Sequence, residues 1–141
     1  MRFLTLSHKE IRLNIVPERY SLRTREQSRS VGQFTLGRML QSIYGFKALI
    51  LEEFPIPEER LVLDFYMPHH GLAFEYQGEQ HDQFNKFFHI DRHGFEQARL
   101  RDERKRQWCD LNGIALVEVR GLPSLEELKE LIQNAREIKD E

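Results

Sequence analysis

Four short apolar runs, separated by turn residues and one long charged stretch, constrain the fold more than any other feature of the sequence. Residues 47–54 (KALILEEF), 60–67 (RLVLDFYM) and 71–78 (GLAFEYQG) are closed by proline or glycine, which is typical of strands. The first of them is expected to end at the turn of Pro55 and Pro57. The fourth run, IALVEV, shows almost no polar alternation, which predicts a strand covered on both faces.

Helices are predicted on either side of these strands. Residues 31–44 carry apolar side chains at helical spacing before Gly45, and residues 95–112 are charged and free of glycine and proline. Ser124 and Glu127 form a capping box that opens a last helix. The order helix, three strands, helix, strand, helix predicts an α/β domain with a mixed sheet of about four strands flanked by helices. The last strand is expected to run parallel to an earlier one.

The composition favours one globular domain. The chain has 141 residues, of which 40% are hydrophobic and 31% charged, and no apolar stretch approaches the ~20 residues that span a bilayer. The N-terminus lacks the apolar core of a secretory signal. The single cysteine, Cys109, excludes an internal disulfide framework. A cytoplasmic protein without membrane contact is expected.

Residues 1–30 are assigned to an N-terminal extension with an arginine-rich arm, and residues 31–141 to the α/β domain. The net charge is only -2, but basic residues are clustered. Such clusters can contact a phosphate backbone, although charge alone favours a solvated surface. The two clusters comprise Arg19, Arg23, Arg25 and Arg29 in the arm, and Arg99, Arg101, Arg104, Lys105 and Arg106 in the charged helix.

Two predicted strands carry an acid on a face that would normally pack against a helix. Side chains two apart share a face, so Glu75 and Gln77 lie on one side of the third strand. In the second strand, Leu61, Leu63 and Phe65 are expected on one face, and Val62, Asp64 and Tyr66 on the other. A buried carboxylate needs a partner, and two on adjacent strands favour a shared cation, for which Mg²⁺ is suited. Strand geometry leaves a metal site and a buried salt bridge as open alternatives.

The charged helix is expected to bring two further groups to this face. Asp102 and Lys105 share a helix face with Trp108 and Cys109, so they should lie against the sheet. Taken alone, an exposed Asp102–Arg106 pair, worth about 0.3–0.5 kcal/mol, is the better interpretation of these residues.

The runs LDFYMPHHGLAFEYQGEQH and RDERKRQWCDLNGIALVEV together resemble the PD-(D/E)xK nuclease superfamily. They are most similar to the branch that contains very-short-patch repair endonucleases and related phage or intron-borne homing endonucleases. The similarity covers about residues 34–120 and follows the predicted order of elements. It implies a restriction-endonuclease-like core in residues 31–141 and a role in a bacterial or phage-infected cell.

The resemblance implies an endonuclease that hydrolyses phosphodiester bonds in double-stranded DNA, with branched DNA as a further candidate substrate. Asp64 and Glu75 would hold Mg²⁺, or Mn²⁺ in its place. Gln77 would orient the attacking water, and His81 would transfer a proton. The remaining catalytic candidates are Asp102, as a second ligand or a partner of His81, and Lys105, as a stabiliser of phosphate charge.

DNA contacts are expected from two groups of arginines: Arg19, Arg23, Arg25 and Arg29 in the arm, and Arg99 and Arg106 in the helix. A homodimer is expected if both strands are cut, because the chain has one apparent site. The alternative is a nucleic-acid-binding domain on the same fold without turnover. A third interpretation is a scaffold whose acids are merely salt-bridged.

Two departures from the family pattern leave questions open. Related proteins often carry a glutamate in the helix before the first strand, but residues 31–44 contain no acid, only Gln33. Glu26, Glu52 and Glu53 remain alternatives for that role. Gln77 stands where the family usually has lysine, and so it cannot supply positive charge.

Overall fold

The chain folds around a mixed β-sheet flanked by helices. The structure, a computed structural model, describes residues 1–78 and 92–140. The elements, in chain order, are β1 (Arg2–Leu4), β2 (Glu10–Arg12), a 3-10 helix (Pro17–Tyr20), α1 (Val31–Tyr44), β3 (Leu51–Ile56), β4 (Leu61–Met67), β5 (Leu72–Gln77), α2 (Arg92–Leu111), β6 (Ala115–Arg120) and α3 (Leu125–Asp140). The strands β3 to β6 lie in sequential order. Neighbours from β3 to β5 are antiparallel, and β5 and β6 are parallel. The predicted mixed α/β class is confirmed.

The predicted ends of the first and last helices are confirmed by their capping contacts. Gly45 has a φ of 91° and its N–H donates to the Gln41 carbonyl at 2.8 Å, which closes α1. At the start of α3, the Glu127 N–H donates to Ser124 Oγ and the Ser124 N–H donates to Glu127 Oε1, each at 3.1 Å. This is the reciprocal capping box.

The predicted end of the first strand is wrong. Strand β3 begins at Leu51 and continues through Pro55 to Ile56, with Pro55 opposite Val62 in the register. Because β3 lies at one edge of the sheet, the missing N–H of a proline need not break a hydrogen bond to a neighbour.

Helices cover both faces of the sheet. Leu36 of α1 and Leu128 of α3 pack against Phe65 and Phe74 on one face. On the other face, Trp108 of α2 packs with residues of the N-terminal hairpin that β1 and β2 form, and its ring lies 5.4 Å from that of Phe3. The first residues of the chain therefore contribute to a core layer. None of the described helices combines the length and the apolar composition that a membrane span requires.

Side chains stop alternating along β4 at Asp64. Leu61 and Leu63 pack in the same cluster as Tyr66, whereas Phe65 belongs to the cluster on the opposite face. The prediction that placed Leu61, Leu63 and Phe65 on one face, opposite Tyr66, is therefore wrong.

The cause lies opposite Asp64, on strand β3. The register pairs Glu52 with Phe65 and Phe54 with Leu63, which leaves Glu53 across from Asp64. Glu53 has a φ of 54°, a left-handed conformation that interrupts the strand pleat. Leu51 and Phe54, three residues apart, consequently pack in one cluster. In both β3 and β4, the side chains beyond this residue pair therefore point to the faces opposite to those that regular alternation would give.

Asn112, just beyond α2, joins the N-terminal hairpin to the domain. Its Oδ1 accepts the Leu4 N–H at 2.7 Å, and its Nδ2 donates to the Leu4 carbonyl at 3.0 Å. The amide side chain thus makes the two bonds that a neighbouring strand would make to β1. The same Nδ2 lies 2.9 Å from the Trp108 carbonyl.

Asn112→Ala should lower the free energy of unfolding by about 1–3 kcal/mol, because it leaves the partly buried Leu4 backbone groups without partners. Urea denaturation measures the loss, and faster amide exchange in β1 would place it at the hairpin. Gln107→Ala, an exposed change on α2, is the control and should stay within about 0.5 kcal/mol of wild type. Equal stability of the two variants would contradict the assigned role of Asn112.

Candidate active site

The backbone pairing between β4 and β5 ends one residue pair before Asp64 and Glu75, whose carboxylates lie across from each other. Paired residues run from Met67 and Leu72 to Phe65 and Phe74. At the next step, the Asp64 N–H donates to Glu75 Oε2 at 2.7 Å. The Tyr76 N–H in turn donates to Asp64 Oδ2 at 2.7 Å. The two side chains therefore accept bonds that backbone carbonyls would accept in a continuous ladder.

Both carboxylates line one surface cleft of about 1020 Å³. Its walls come from the first turn of α1, from Asp64, from the end of β5 and from the middle of α2. Asp64 and Glu75 are each 7% exposed, so the acids face the cleft from nearly buried positions. The two strand carboxylates that the sequence placed on adjacent strands thus meet at one place.

Lys105 reaches Glu75 from α2. Its Nζ lies 2.5 Å from Glu75 Oε1, and the lysine side chain is only 16% exposed. The expected orientation of α2 is confirmed, because Trp108 and Cys109 are buried and Asp102 lines the same cleft as Lys105. Glu75 therefore already takes part in a buried ion pair.

Arg106 contacts acids on the outer side of α2. Its Nε lies 2.6 Å from Glu118 Oε1, and its Nη1 lies 3.3 Å from Glu103 Oε2. These contacts, with a smaller effect of Asp102, raise the pKa of Arg106. The alternative Asp102–Arg106 pair is thus a minor part of the surroundings of Arg106.

Burial dominates the electrostatics of the two acids. Burial, and after it the negative charge of Glu75, raises the pKa of Asp64 to about 7, against the opposing effects of the Tyr76 N–H and Lys105. Burial also raises the pKa of Glu75, although the charge and hydrogen bond of Lys105 act in the opposite direction. The pair therefore holds a proton more readily than exposed carboxylates do.

Three of the four carboxylate oxygens of Asp64 and Glu75 already accept hydrogen bonds from the described residues. Asp64 Oδ1 accepts no hydrogen bond from the described residues, so this oxygen is available for a cation. Residues 1–78 and 92–140 contain no group of three or more His, Cys, Asp or Glu side chains suitable for a metal ion. A cation at Asp64 and Glu75 would therefore complete its shell with water, backbone carbonyls or a phosphate, as Mg²⁺ commonly does.

Gln77 presents an unengaged amide to the cleft. The residue is 8% exposed and lines the cleft, and its side chain makes no hydrogen bond within the described part of the chain. Its backbone is held, because the Gly121 N–H donates to the Gln77 carbonyl at 2.9 Å. His81 lies outside the described residues, and its role stays a prediction.

Glu26, Glu52 and Glu53, the three candidates to replace the glutamate that related proteins carry in the first helix, lie in different surroundings. Glu26 is exposed. Glu52 is buried and accepts hydrogen bonds from Gln33 Nε2 at 3.0 Å and from the Arg23 N–H at 2.7 Å. Glu53 is the alternative whose charge contributes to the raised pKa of Asp64. Gln33, the residue in place of the expected acid, thus binds the acid of a neighbouring strand.

The predicted DNA-binding arginines are not all at the cleft. Arg29 lines it, whereas Arg99 pairs with Glu96 Oε2 at 3.2 Å on the same helix. Arg106 binds the acids described above, Arg23 lies near Glu53, and Arg19 and Arg25 are exposed in the arm. Arg101, a member of the basic cluster in the charged helix, also lines the cleft. Its position four residues before Lys105 was the available signal.

The first turn of α1 approaches β5 closely at Gly32. A methyl group added to Gly32 would overlap the Tyr76 ring and hydroxyl, so glycine is required while Tyr76 keeps its position. The Ser30 side chain caps the helix by accepting the Gln33 N–H at 3.0 Å. The residues of this first turn line the cleft.

The fold and the cleft define an α/β protein with paired buried carboxylates. Its sequence is similar to Uncharacterized protein 033L of Invertebrate iridescent virus 3, with 43% identity over 65 residues, which are 46% of this chain and 34% of that protein. It is also similar to Uncharacterized protein 307L of Invertebrate iridescent virus 6, with 41% identity over 59 residues, 42% of this chain and 30% of that protein. The matches therefore span about a third of these relatives. No model of a known protein family and no solved structure matches the chain.

Asp64→Asn should flatten the pH dependence of stability in metal-free buffer. The folded-state pKa of about 7 lies above the ordinary 3.8, so the folded protein holds this proton more tightly than the unfolded chain does. The resulting stability is fully present below the ordinary pKa and is lost as pH rises through about 7. Asparagine keeps an oxygen for the Tyr76 N–H but removes the charge, so the variant should be more stable than wild type at pH 8.

Urea denaturation at a series of pH values measures this effect, which should be on the order of a few kcal/mol across the window. Glu58→Gln, at an exposed acid, is the control and should follow the wild-type slope. An Asp64→Asn curve parallel to that of wild type would show that the buried charge has no such cost.

Proposed function

We propose that the protein is a divalent-metal-dependent endonuclease that hydrolyses phosphodiester bonds in double-stranded DNA, with branched DNA as a further candidate substrate. The observation that carries the proposal is the pair of nearly buried carboxylates, Asp64 and Glu75, in a cleft where the ladder opens. The order of elements, with an antiparallel trio and a parallel last strand, agrees with a PD-(D/E)xK nuclease core.

Asp64 and Glu75 are the residues that would hold Mg²⁺ or Mn²⁺. The open Oδ1 of Asp64 and the raised pKa values of both acids support this assignment, because a bound cation relieves the cost of two neighbouring buried charges. When bound, the ion supplies Lewis-acid chemistry to the phosphodiester.

Other side chains of the cleft would serve the reaction directly. Gln77 orients the attacking water through its unengaged amide, and Lys105 donates to charge that develops on the phosphate. Asp102 faces the same cleft and adds negative charge near Glu75. His81 is the candidate for proton transfer, on the basis of the sequence resemblance.

The DNA backbone would cross the cleft between the arm and α2. Arg29 and Arg101 both line the cleft and are suited to contact phosphates. The arm also carries Arg19 and Arg25, which are exposed to solvent. A homodimer would place two such sites on a duplex if both strands are cut.

A nucleic-acid-binding domain without turnover is the second candidate. Lys105 at 2.5 Å from Glu75 already neutralises one of the two acids without a metal ion, which favours this alternative. The binding domain and the nuclease differ in their response to divalent cations.

Wild-type protein should nick or linearise supercoiled plasmid, and cut branched DNA, only in the presence of Mg²⁺ or Mn²⁺. Asp64→Asn and Glu75→Gln should each reduce the rate by about 100-fold or more, because each removes an electrostatic contribution at the reacting phosphate. Agarose gels and fluorescent oligonucleotides measure the rates. Glu118→Gln is the control, since Glu118 lies opposite Glu75 on β6 but pairs with Arg106 outside the cleft. Equal cutting by all four proteins would rule out the assigned site.

Mg²⁺ or Mn²⁺ should also raise the Tm of wild-type protein without DNA, because a ligand that binds only the folded state stabilises it by about 2.7 kcal/mol at 100 times its Kd. The increase should be much smaller in Asp64→Asn and unchanged in Glu118→Gln. A nucleic-acid-binding domain predicts DNA binding without any shift of Tm by either cation.

A further inference from the structure

Glu53 combines an unusual backbone with an unusual side-chain environment. Its φ of 54° is a left-handed backbone conformation that residues other than glycine, asparagine and aspartate rarely adopt. Its Oε1 is buried and accepts no hydrogen bond from the described residues. Within residues 1–78 and 92–140, its ion-pair partners are Arg29 Nε at 3.5 Å and Arg23 Nη1 at 4.0 Å.

The left-handed conformation allows two consecutive acids to reach the same arm. In a regular strand, neighbouring side chains point to opposite faces. Here Glu52 accepts the Arg23 N–H at 2.7 Å, and Glu53 lies against the guanidinium groups of Arg23 and Arg29. Two adjacent residues of β3 therefore hold the arm at Arg23 and Arg29.

Glu53 also determines how Arg29 can meet a ligand. Arg29 Nε lies 3.5 Å from Glu53 Oε1 in an ion pair without a hydrogen bond, so the terminal amino groups of the planar guanidinium stay available for another anion. The Arg29 side chain is 66% exposed, whereas that of Glu53 is 11% exposed, so the acid is fixed in the protein and the arginine is open to solvent. Arg29 lines the cleft that contains Asp64 and Glu75.

We propose that Glu53 is a positioning residue that holds the guanidinium of Arg29 over the cleft, where it receives a nucleic-acid phosphate. This inference rests on the proposed nuclease function for the identity of the anion. Glu53 acts through Arg29 and makes no contact with the substrate itself.

The direction in which Glu53→Gln changes the affinity for DNA distinguishes a positioning role from a purely electrostatic one. Glu53→Gln deletes a negative charge beside a DNA-binding surface, so electrostatics alone predict tighter DNA binding. Loss of Arg29 positioning predicts weaker binding. Glu58 offers a matched control, because it also has positive φ, at 65°, and pairs with Lys9 at 3.6 Å, but its side chain is 51% exposed.

The experiment measures affinity for a DNA duplex in metal-free buffer, where no cutting is expected. Glu53→Gln should weaken binding about threefold to tenfold, Arg29→Ala should have a similar effect, and the double variant should bind no worse than either. Glu58→Gln should bind as well as wild type or slightly better. Glu53→Asn is a second variant that tolerates the left-handed backbone and should behave like Glu53→Gln.

A substrate-independent readout accompanies the affinities. The ¹H–¹⁵N heteronuclear NOE of the Arg29 Nε–H should be high in wild type and in Glu58→Gln, and low in both Glu53 variants. An unchanged NOE together with equal or tighter DNA binding in Glu53→Gln would overturn the inference. If wild-type protein binds DNA but cuts none with Mg²⁺ or Mn²⁺, the nuclease proposal fails and the NOE and binding results support positioning alone. If wild type binds no DNA, both proposals fail.

Discussion

The site depends on the place where β4 and β5 part and two carboxylates accept backbone N–H groups. Asp64 and Glu75 each occupy a position that a backbone carbonyl would occupy in an unbroken ladder. A carbonyl carries no net charge, so this exchange places two anions in a nearly buried position. Lys105 forms an ion pair with Glu75, and burial together with the charge of Glu75 raises the pKa of Asp64 to about 7. The pH dependence of local stability is therefore set by these two side chains.

The surrounding elements hold this opening in place. Helix α2 is anchored by Trp108 in the core, so that Lys105 reaches the acids from one side. On β3, Glu53 lies across from Asp64 and departs from strand geometry. The first turn of α1 forms a further wall of the cleft. Three neighbouring elements thus constrain one short segment of β4, which is how a scaffold fixes charged groups that would otherwise move into solvent.

Sequence patterns predicted the parts of the fold that depend on local chemistry. The bounds of α1, the capping box at Ser124, and the parallel last strand each follow from turn residues, periodicity or connection length. The meeting of Asp64 and Glu75 followed from their places in adjacent strands. The faces of β4 could not be predicted, because the interruption arises from the backbone of Glu53 on another strand, and alternation gives no sign of it. Pro55 inside β3 was missed because edge position is a property of the whole sheet.

The close approach of α1 to β5 couples the amino acids allowed at positions 32 and 76. A side chain on the helix needs the space that the Tyr76 ring fills, and the ring needs a bare backbone at Gly32. Homologous chains that keep this helix–strand distance should change both positions together or neither. In an alignment, that restriction is read as covariation between a glycine and an aromatic residue far apart in sequence.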